Sequence, residues 1–155
     1  VLIGKPLSKN PSREEVLDAI SGFAPGLDLT LRDVQSRLKE KGLPWEIAKS
    51  FDGAAVIAPF VSADRYPDLA DIAIRLSING EVRQDGNSSQ MLNPIVPMIQ
   101  HMASQFSLQA GDLIMTGTPA GVGALQRGDV VTAGIEGLAE LTVTIHKPQA
   151  SGCKL

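Results

Sequence analysis

The stretch 71-DIAIRLSINGEVRQ-84 decides the fold class, because two unlike signals meet in it. Ile72, Ile74, Leu76 and Ile78 alternate with small or polar residues, the period-two pattern of a strand with one buried face. Asn79-Gly80 follows at once, a pair suited to the left-handed dihedrals of a two-residue hairpin turn, and Glu81 to Gln84 return as the second strand. An antiparallel hairpin is therefore predicted here.

Downstream of the hairpin, one helix is predicted after Asn93. Pro94 stands at its first position, and Ile95, Met98, Ile99 and Met102 share one face. Turn–strand units then recur: Ala110-Gly111 into Asp112–Met115, Arg127-Gly128 into Asp129–Thr132, and Leu141 to Ile145 alternating with threonines. Ser151–Leu155 reads as a frayed tail. Upstream, Ser12 with Glu15 forms a capping box that opens a short amphipathic helix through Val16, Leu17 and Ile20, with Gly22 placed to end it. Leu27-Asp28-Leu29 is extended. A second helix starts near Thr30, carries Leu31, Val34 and Leu38 on one side, and stops at Gly42. From Gly42 to Val61 no period is sustained, which predicts a long loop with short extended pieces. The class is mostly β with short helices (α+β), and no composition shift marks a boundary within residues 1–150.

Composition sets the outer limits. The 155 residues suffice for one domain, and with 43% hydrophobic but only 4% aromatic residues its core must be built from Val, Ile, Leu and Ala. A formal charge of −3 without any Lys/Arg cluster argues against a nucleic-acid partner. One cysteine, Cys153, leaves neither a disulfide framework nor a thiolate metal site. No apolar run matches a bilayer-spanning helix and no leader precedes Val1, so no membrane partner and a reducing, cytoplasmic setting are expected. Val1-Leu2-Ile3 reads as the end of a strand with nothing before it, which suggests a chain that begins inside a domain.

Four groups of residues bear on chemistry. Asp28 lies between two leucines and needs a positive partner. Arg32, one turn on and facing Gln35, is the local candidate, and a metal ion is the alternative, although a single carboxylate cannot hold a hard divalent cation by itself. Lys49, in 45-WEIAKSFDG-53, has Trp45, Ile47 and Phe51 around it. Its ammonium either seeks an anion from partly desolvated surroundings or faces solvent above its own stem. The loop 115-MTGTPAGVG-123 lacks the lysine of a phosphate-cradling loop, and reads as a carboxylate pocket of amides and threonine or as a tight turn. His101 and His146 fall in the late helix and at the end of the last strand, away from these groups, so no Ser–His or Cys–His arrangement can be drawn from them.

With those residues in view, the chain resembles the fumarylacetoacetate hydrolase family, and within it the acylpyruvate hydrolase branch. The resemblance runs through GLDLTLRDVQ, GLPWEIAKSFD, INGEVRQDGNSSQM, LQAGDLIMTGTPAGVG and AGIEGLAELTVTI, in that order, over roughly residues 1 to 146. It implies a β-roll of mixed sheets with short helices, a homodimer, and a magnesium or manganese ion held by a Glu-x-Glu pair and a later aspartate. Asp28 matches that aspartate, Lys49 the active-site lysine, Arg32 and Gln35 pocket residues, and Thr118, with Gly117 and Pro119 beside it, the contact to the substrate carboxylate. The Glu-x-Glu pair of that pattern, and the histidine and glutamate of a lid, belong upstream of Val1. The resemblance therefore implies the C-terminal portion of a longer catalytic domain, inactive on its own.

The activity implied is metal-dependent hydrolysis of a C–C bond in acylpyruvates, 2,4-dioxo acids, to pyruvate and a carboxylic acid. Water activated by the upstream pair attacks the C4 carbonyl, and Lys49 and Gln35 stabilise anionic oxygens. Oxaloacetate decarboxylation or tautomerisation, and isomerisation or decarboxylation in aromatic catabolism, are the alternatives on the same site. A non-catalytic dimeric homologue that merely binds an acid is the third.

Overall fold

The computed structural model describes residues 1–135 and 139–146. The chain runs β1 (Leu2–Ile3), α1 (Arg13–Ala19), β2 (Ile20–Phe23), β3 (Gly26–Asp28), α2 (Arg32–Glu40), α3 (Glu46–Lys49), β4 (Ala55–Ile57), β5 (Val61–Ser62), β6 (Ala73–Ile78), β7 (Glu81–Asn87), α4 (Ile95–Gln105), β8 (Val130–Ile135) and β9 (Ala139–Thr144). Every pairing among these strands is antiparallel. A small sheet has the order β1-β2-β5, a two-stranded one joins β3 to β4, and the largest has the order β7-β6-β8-β9. The α+β class read from the sequence is the class observed.

The hairpin forms as its residues dictate. Asn79 and Gly80 take positive φ, 52° and 83°, and β6 pairs with β7 from Ile78↔Glu81 to Ala73↔Asn87, with a register shift between Leu76 and Ser77. The returning strand is longer than Glu81–Gln84, continuing to Asn87. Its partner β6 connects two cores. Ile72, just before it, belongs to a large cluster with Ile3, Val16, Phe23 and Ile99, whereas Leu76 and Ile78 pack on a smaller one made by Leu27, Val131 and Ala133. The candidate site lies over the second cluster, because Leu27 immediately precedes Asp28.

Several local expectations change. The capping box is present: Ser12 Oγ accepts from Glu15 N at 3.1 Å and Glu15 Oε2 accepts from Ser12 N at 2.7 Å. Its helix ends at Ala19 and not at Gly22, which lies inside β2. A Cβ at Gly22 would come 2.6 Å from the Val61 carbonyl oxygen, so close approach of two strands explains that glycine, not helix termination. The second helix begins at Arg32 rather than Thr30; it does stop where expected, with Leu43 N donating back to Leu38 O at 2.9 Å. The loop from 42 to 61 contains the single-turn helix α3, too short to show a period. Pro94 caps α4 from outside, and Ile95, Val96, Ile99 and Ala103 are its buried residues. Residues 112–115 form no full strand. Leu113 makes one bridge to Leu2, and the flanking backbone bonds tie Ile3 to Asp112 and Val1 to Ile114. The predicted tail, Cys153 included, lies outside the described residues. Among the described residues, no helix is long and apolar enough to cross a membrane.

Candidate active site

Asp28 ends β3, the strand that pairs with β4 through Gly26↔Ile57, Leu27↔Val56 and Asp28↔Ala55. Pairing fixes the pleat: Leu27 points into the core at 5% exposure, so its neighbour Asp28 must face outward. Two backbone bonds then bring α3 alongside. Leu29 N donates to Ala54 O at 2.8 Å and Leu31 N to Ala48 O at 3.1 Å. Ala48 is fully buried, which anchors α3 and projects the next residue, Lys49, toward the end of β3.

The result answers the question of Asp28's partner. Lys49 Nζ donates to Asp28 Oδ2 at 2.7 Å, with the two side chains 33% and 41% exposed. The local ion pair with Arg32 does not form. Arg32 Nη1 instead donates to Gln35 Oε1 at 2.9 Å, one turn along α2 on the same face. The apolar surroundings expected of Lys49 are also different, since Trp45 is 46% and Ile47 66% exposed.

Asp28 lines a cavity of about 130 Å³ together with Gly117, Thr118, Pro119, Gln84 and Leu76, among others. A second cavity, about 360 Å³, shares Ile74 and the Gly117–Pro119 segment with it and extends past Phe23, Asn87, Gln90 and Met98. The smaller is the better reaction site despite its size, because the larger has no charged side chain on its wall. Arg32, Gln35 and Lys49 border neither directly. Lys49 touches the cavity wall only through Asp28, its ion-pair partner.

The Gly117–Pro119 segment is held from β7. Gln84 Nε2 donates to Pro119 O at 2.9 Å, and Gly86 and Gly121 leave room for close packing of loop on strand. At Gly121 the requirement is absolute: φ is +98°, and a Cβ would overlap the Arg83 carbonyl oxygen. Gln84, which holds this loop and lines the smaller cavity, is the site-bordering residue that the sequence does not mark. In the sequence it reads only as the end of a strand, although it lies within the INGEVRQDGNSSQM motif. The histidines behave as expected, both exposed and on neither cavity wall.

Whether the residues suit a divalent cation can be judged from their donors. Asp28 Oδ2 holds Lys49, while Oδ1 has no hydrogen-bond partner among the described residues and belongs to a side chain lining the cavity. Among the described residues, no three His, Cys, Asp or Glu side chains gather as a complete ligand set. Asp28 fits as one ligand of such an ion, with the other oxygens coming from elsewhere.

The profile described as fumarylacetoacetate (FAA) hydrolase C-terminal matches residues 1–146. The chain belongs to the fumarylacetoacetate hydrolase family. Relatives in the family include an oxaloacetate tautomerase of Escherichia coli K12, 46% identical over 138 residues, covering 88% of this chain and 63% of the relative. A mitochondrial oxaloacetate tautomerase of Homo sapiens is 40% identical over 149 residues, 96% of this chain and 67% of the relative. Among solved structures, a fumarylpyruvate hydrolase from Pseudomonas aeruginosa in complex with Mn2+ and pyruvate superposes with a TM-score of 0.88 at 39% identity, over 94% of this chain and 62% of that one. The chain thus spans about two thirds of the length of these family members, which are hydrolases and tautomerases.

Proposed function

We propose that this chain forms the substrate-binding portion of a divalent-cation-dependent enzyme for small 2-oxo acids, and that its reaction is keto–enol tautomerisation of oxaloacetate. The observation that carries the reading is the Lys49–Asp28 pair at 2.7 Å beside the cavity that Asp28 shares with Thr118. The identity to two oxaloacetate tautomerases supports the substrate, and the manganese–pyruvate complex of the fumarylpyruvate hydrolase supports the ion.

Tautomerisation moves one proton from C3 to the 2-oxo oxygen and breaks no carbon–carbon bond. The demand on the site is to hold the acid and to stabilise an anionic oxygen as the C3 proton leaves. Thr118 Oγ and the backbone amides of Gly117 and Thr118 would donate to the C1 carboxylate, Pro119 having no N–H to offer. Lys49, on leaving Asp28, would bring a positive charge to the developing enolate oxygen, while Gln35, bonded to Arg32, stands outside the cavity wall and acts on it only at a distance. A bound magnesium or manganese ion would polarise the 2-oxo group as a Lewis acid. Asp28 would hold it.

Hydrolysis of acylpyruvates is the second reading, favoured by the likeness to the fumarylpyruvate hydrolase. It asks for an activated water as well. Either reaction needs a base, for the C3 proton in the first and for the water in the second, and neither histidine of the described residues lines the cavity, so in both readings that group comes from elsewhere. The two readings part in one assay on the natural full-length polypeptide with magnesium or manganese. Enol-to-keto conversion of oxaloacetate is followed by absorbance, and pyruvate release from an acylpyruvate is followed with a coupled dehydrogenase. Faster tautomerisation with little pyruvate release is expected. Efficient release of pyruvate without accelerated tautomerisation would reverse the assignment, and inertness toward both acids would leave a binding protein.

A further inference from the structure

We infer that Lys49 is a built-in counter-ion for Asp28, one that competes with the divalent cation and is released toward the substrate only when the cation binds. This rests on the reading of Asp28 as a cation ligand given above. It concerns a property of the chain without its ion, and it assigns Lys49 a role before substrate arrives.

The geometry makes the competition direct. Lys49 Nζ stands 2.7 Å from Asp28 Oδ2, and Asp28 is the carboxylate through which these described residues can reach an ion in the smaller cavity. Arg32 is not a rival for that oxygen, because it is engaged with Gln35. A cation on either carboxylate oxygen would sit within a few ångströms of the ammonium. Like charges that close, in surroundings a third to two fifths exposed, repel appreciably even after screening. Lys49 is free to move away: it is the last residue of the four-residue helix α3, its stem is unbranched, and only Ala48 behind it is locked in the core. Movement toward the cavity carries the ammonium to where an anionic oxygen of the acid would lie. Cation and acid should therefore bind in order, cation first, with the lysine exchanging one anionic partner for another.

Cation binding to the natural full-length protein, without substrate, tests this by calorimetry with Mn2+ for wild type, Lys49→Met, Lys49→Arg and Asp28→Asn. Removing the ammonium should tighten Mn2+ binding about tenfold, since the pair is partly exposed and only part of the repulsion is recovered. Lys49→Arg, which keeps the charge, should stay within about twofold of wild type, the spread expected of a surface ion pair. Magnesium titration followed by the 15N signal of the Lys49 ammonium should show it leave its carboxylate partner in step with cation occupancy. Unchanged or weaker Mn2+ binding by Lys49→Met, with Asp28→Asn losing the ion, would overturn the inference and leave the cation site standing. Full Mn2+ binding by Asp28→Asn would overturn the site itself.

Discussion

Asn79 and Asp129 lock the hairpin turn to the strand beside it. Asn79 Nδ2 donates to Asp129 Oδ1 at 2.9 Å, Val130 N donates to Asn79 Oδ1 at 2.9 Å, and Asn79 N donates to Val130 O at 2.8 Å. The other carboxylate oxygen of Asp129 accepts from Gln126 N at 2.7 Å. One residue thus serves both the left-handed turn and the β6–β8 pairing, across 50 positions of sequence.

Those donors give a pH dependence. The backbone amide of Gln126 first, and the Asn79 amide second, hold Asp129 below the usual carboxylate range. A carboxylate lowered on folding adds stability that is complete above its unfolded value and is lost as pH falls through the folded value. Urea midpoints of wild type and Asp129→Asn should differ by a constant amount near neutrality, and the gap should close on acidification. A gap independent of pH would show that the charge is irrelevant.

Lys49→Ala should lower turnover of oxaloacetate by about two powers of ten or more, as expected when a charged donor to a developing anion is removed. Far-ultraviolet circular dichroism should remain that of wild type, since the pair it breaks is partly exposed. A variant with an unaltered rate would take Lys49 out of the reaction.

Gln84→Ala removes the bond to Pro119 O and leaves a partly buried carbonyl without its donor. The loss should loosen Gly117–Pro119 more than it harms the fold, costing about 1–2 kcal/mol. The expected kinetic mark is a KM raised roughly tenfold with a smaller change in kcat. Equal loss in both would argue for a wider collapse of the loop.

Gly121→Ala and Gly123→Ala form a matched pair in one loop. The first adds a Cβ at a φ of +98° against the Arg83 carbonyl, and the second meets no atom within 4 Å. Backbone strain of about 1–3 kcal/mol, with the overlap against a carbonyl held in β7 added to it, should lower the thermal midpoint at Gly121 by about ten degrees or more. Gly123→Ala should be close to neutral. Similar midpoints for the two variants would contradict the packing of this loop on β7.

Local chemistry carried much of the architecture. Asn79-Gly80 folds its hairpin and Ser12 with Glu15 caps its helix because each needs only neighbours in the chain. Gly22 looks like a helix stop for the same reason, because its actual constraint is Val61, on another strand, which no nearby residue reveals. The turn-length helix α3 carried no period at all.

The site divides along the same line. Residue order drew notice to Asp28, Lys49 and the Gly117–Pro119 loop but left each with a structural alternative, and only the resemblance to the family joined them as one candidate site. Tertiary structure alone decided who meets whom. Lys49, 21 positions away, reaches Asp28 because the Leu31–Ala48 and Leu29–Ala54 bonds fold α3 against β3, while helical geometry turns the nearer Arg32 to Gln35. An ion pair follows distance in space, and backbone pairing of distant segments sets that distance.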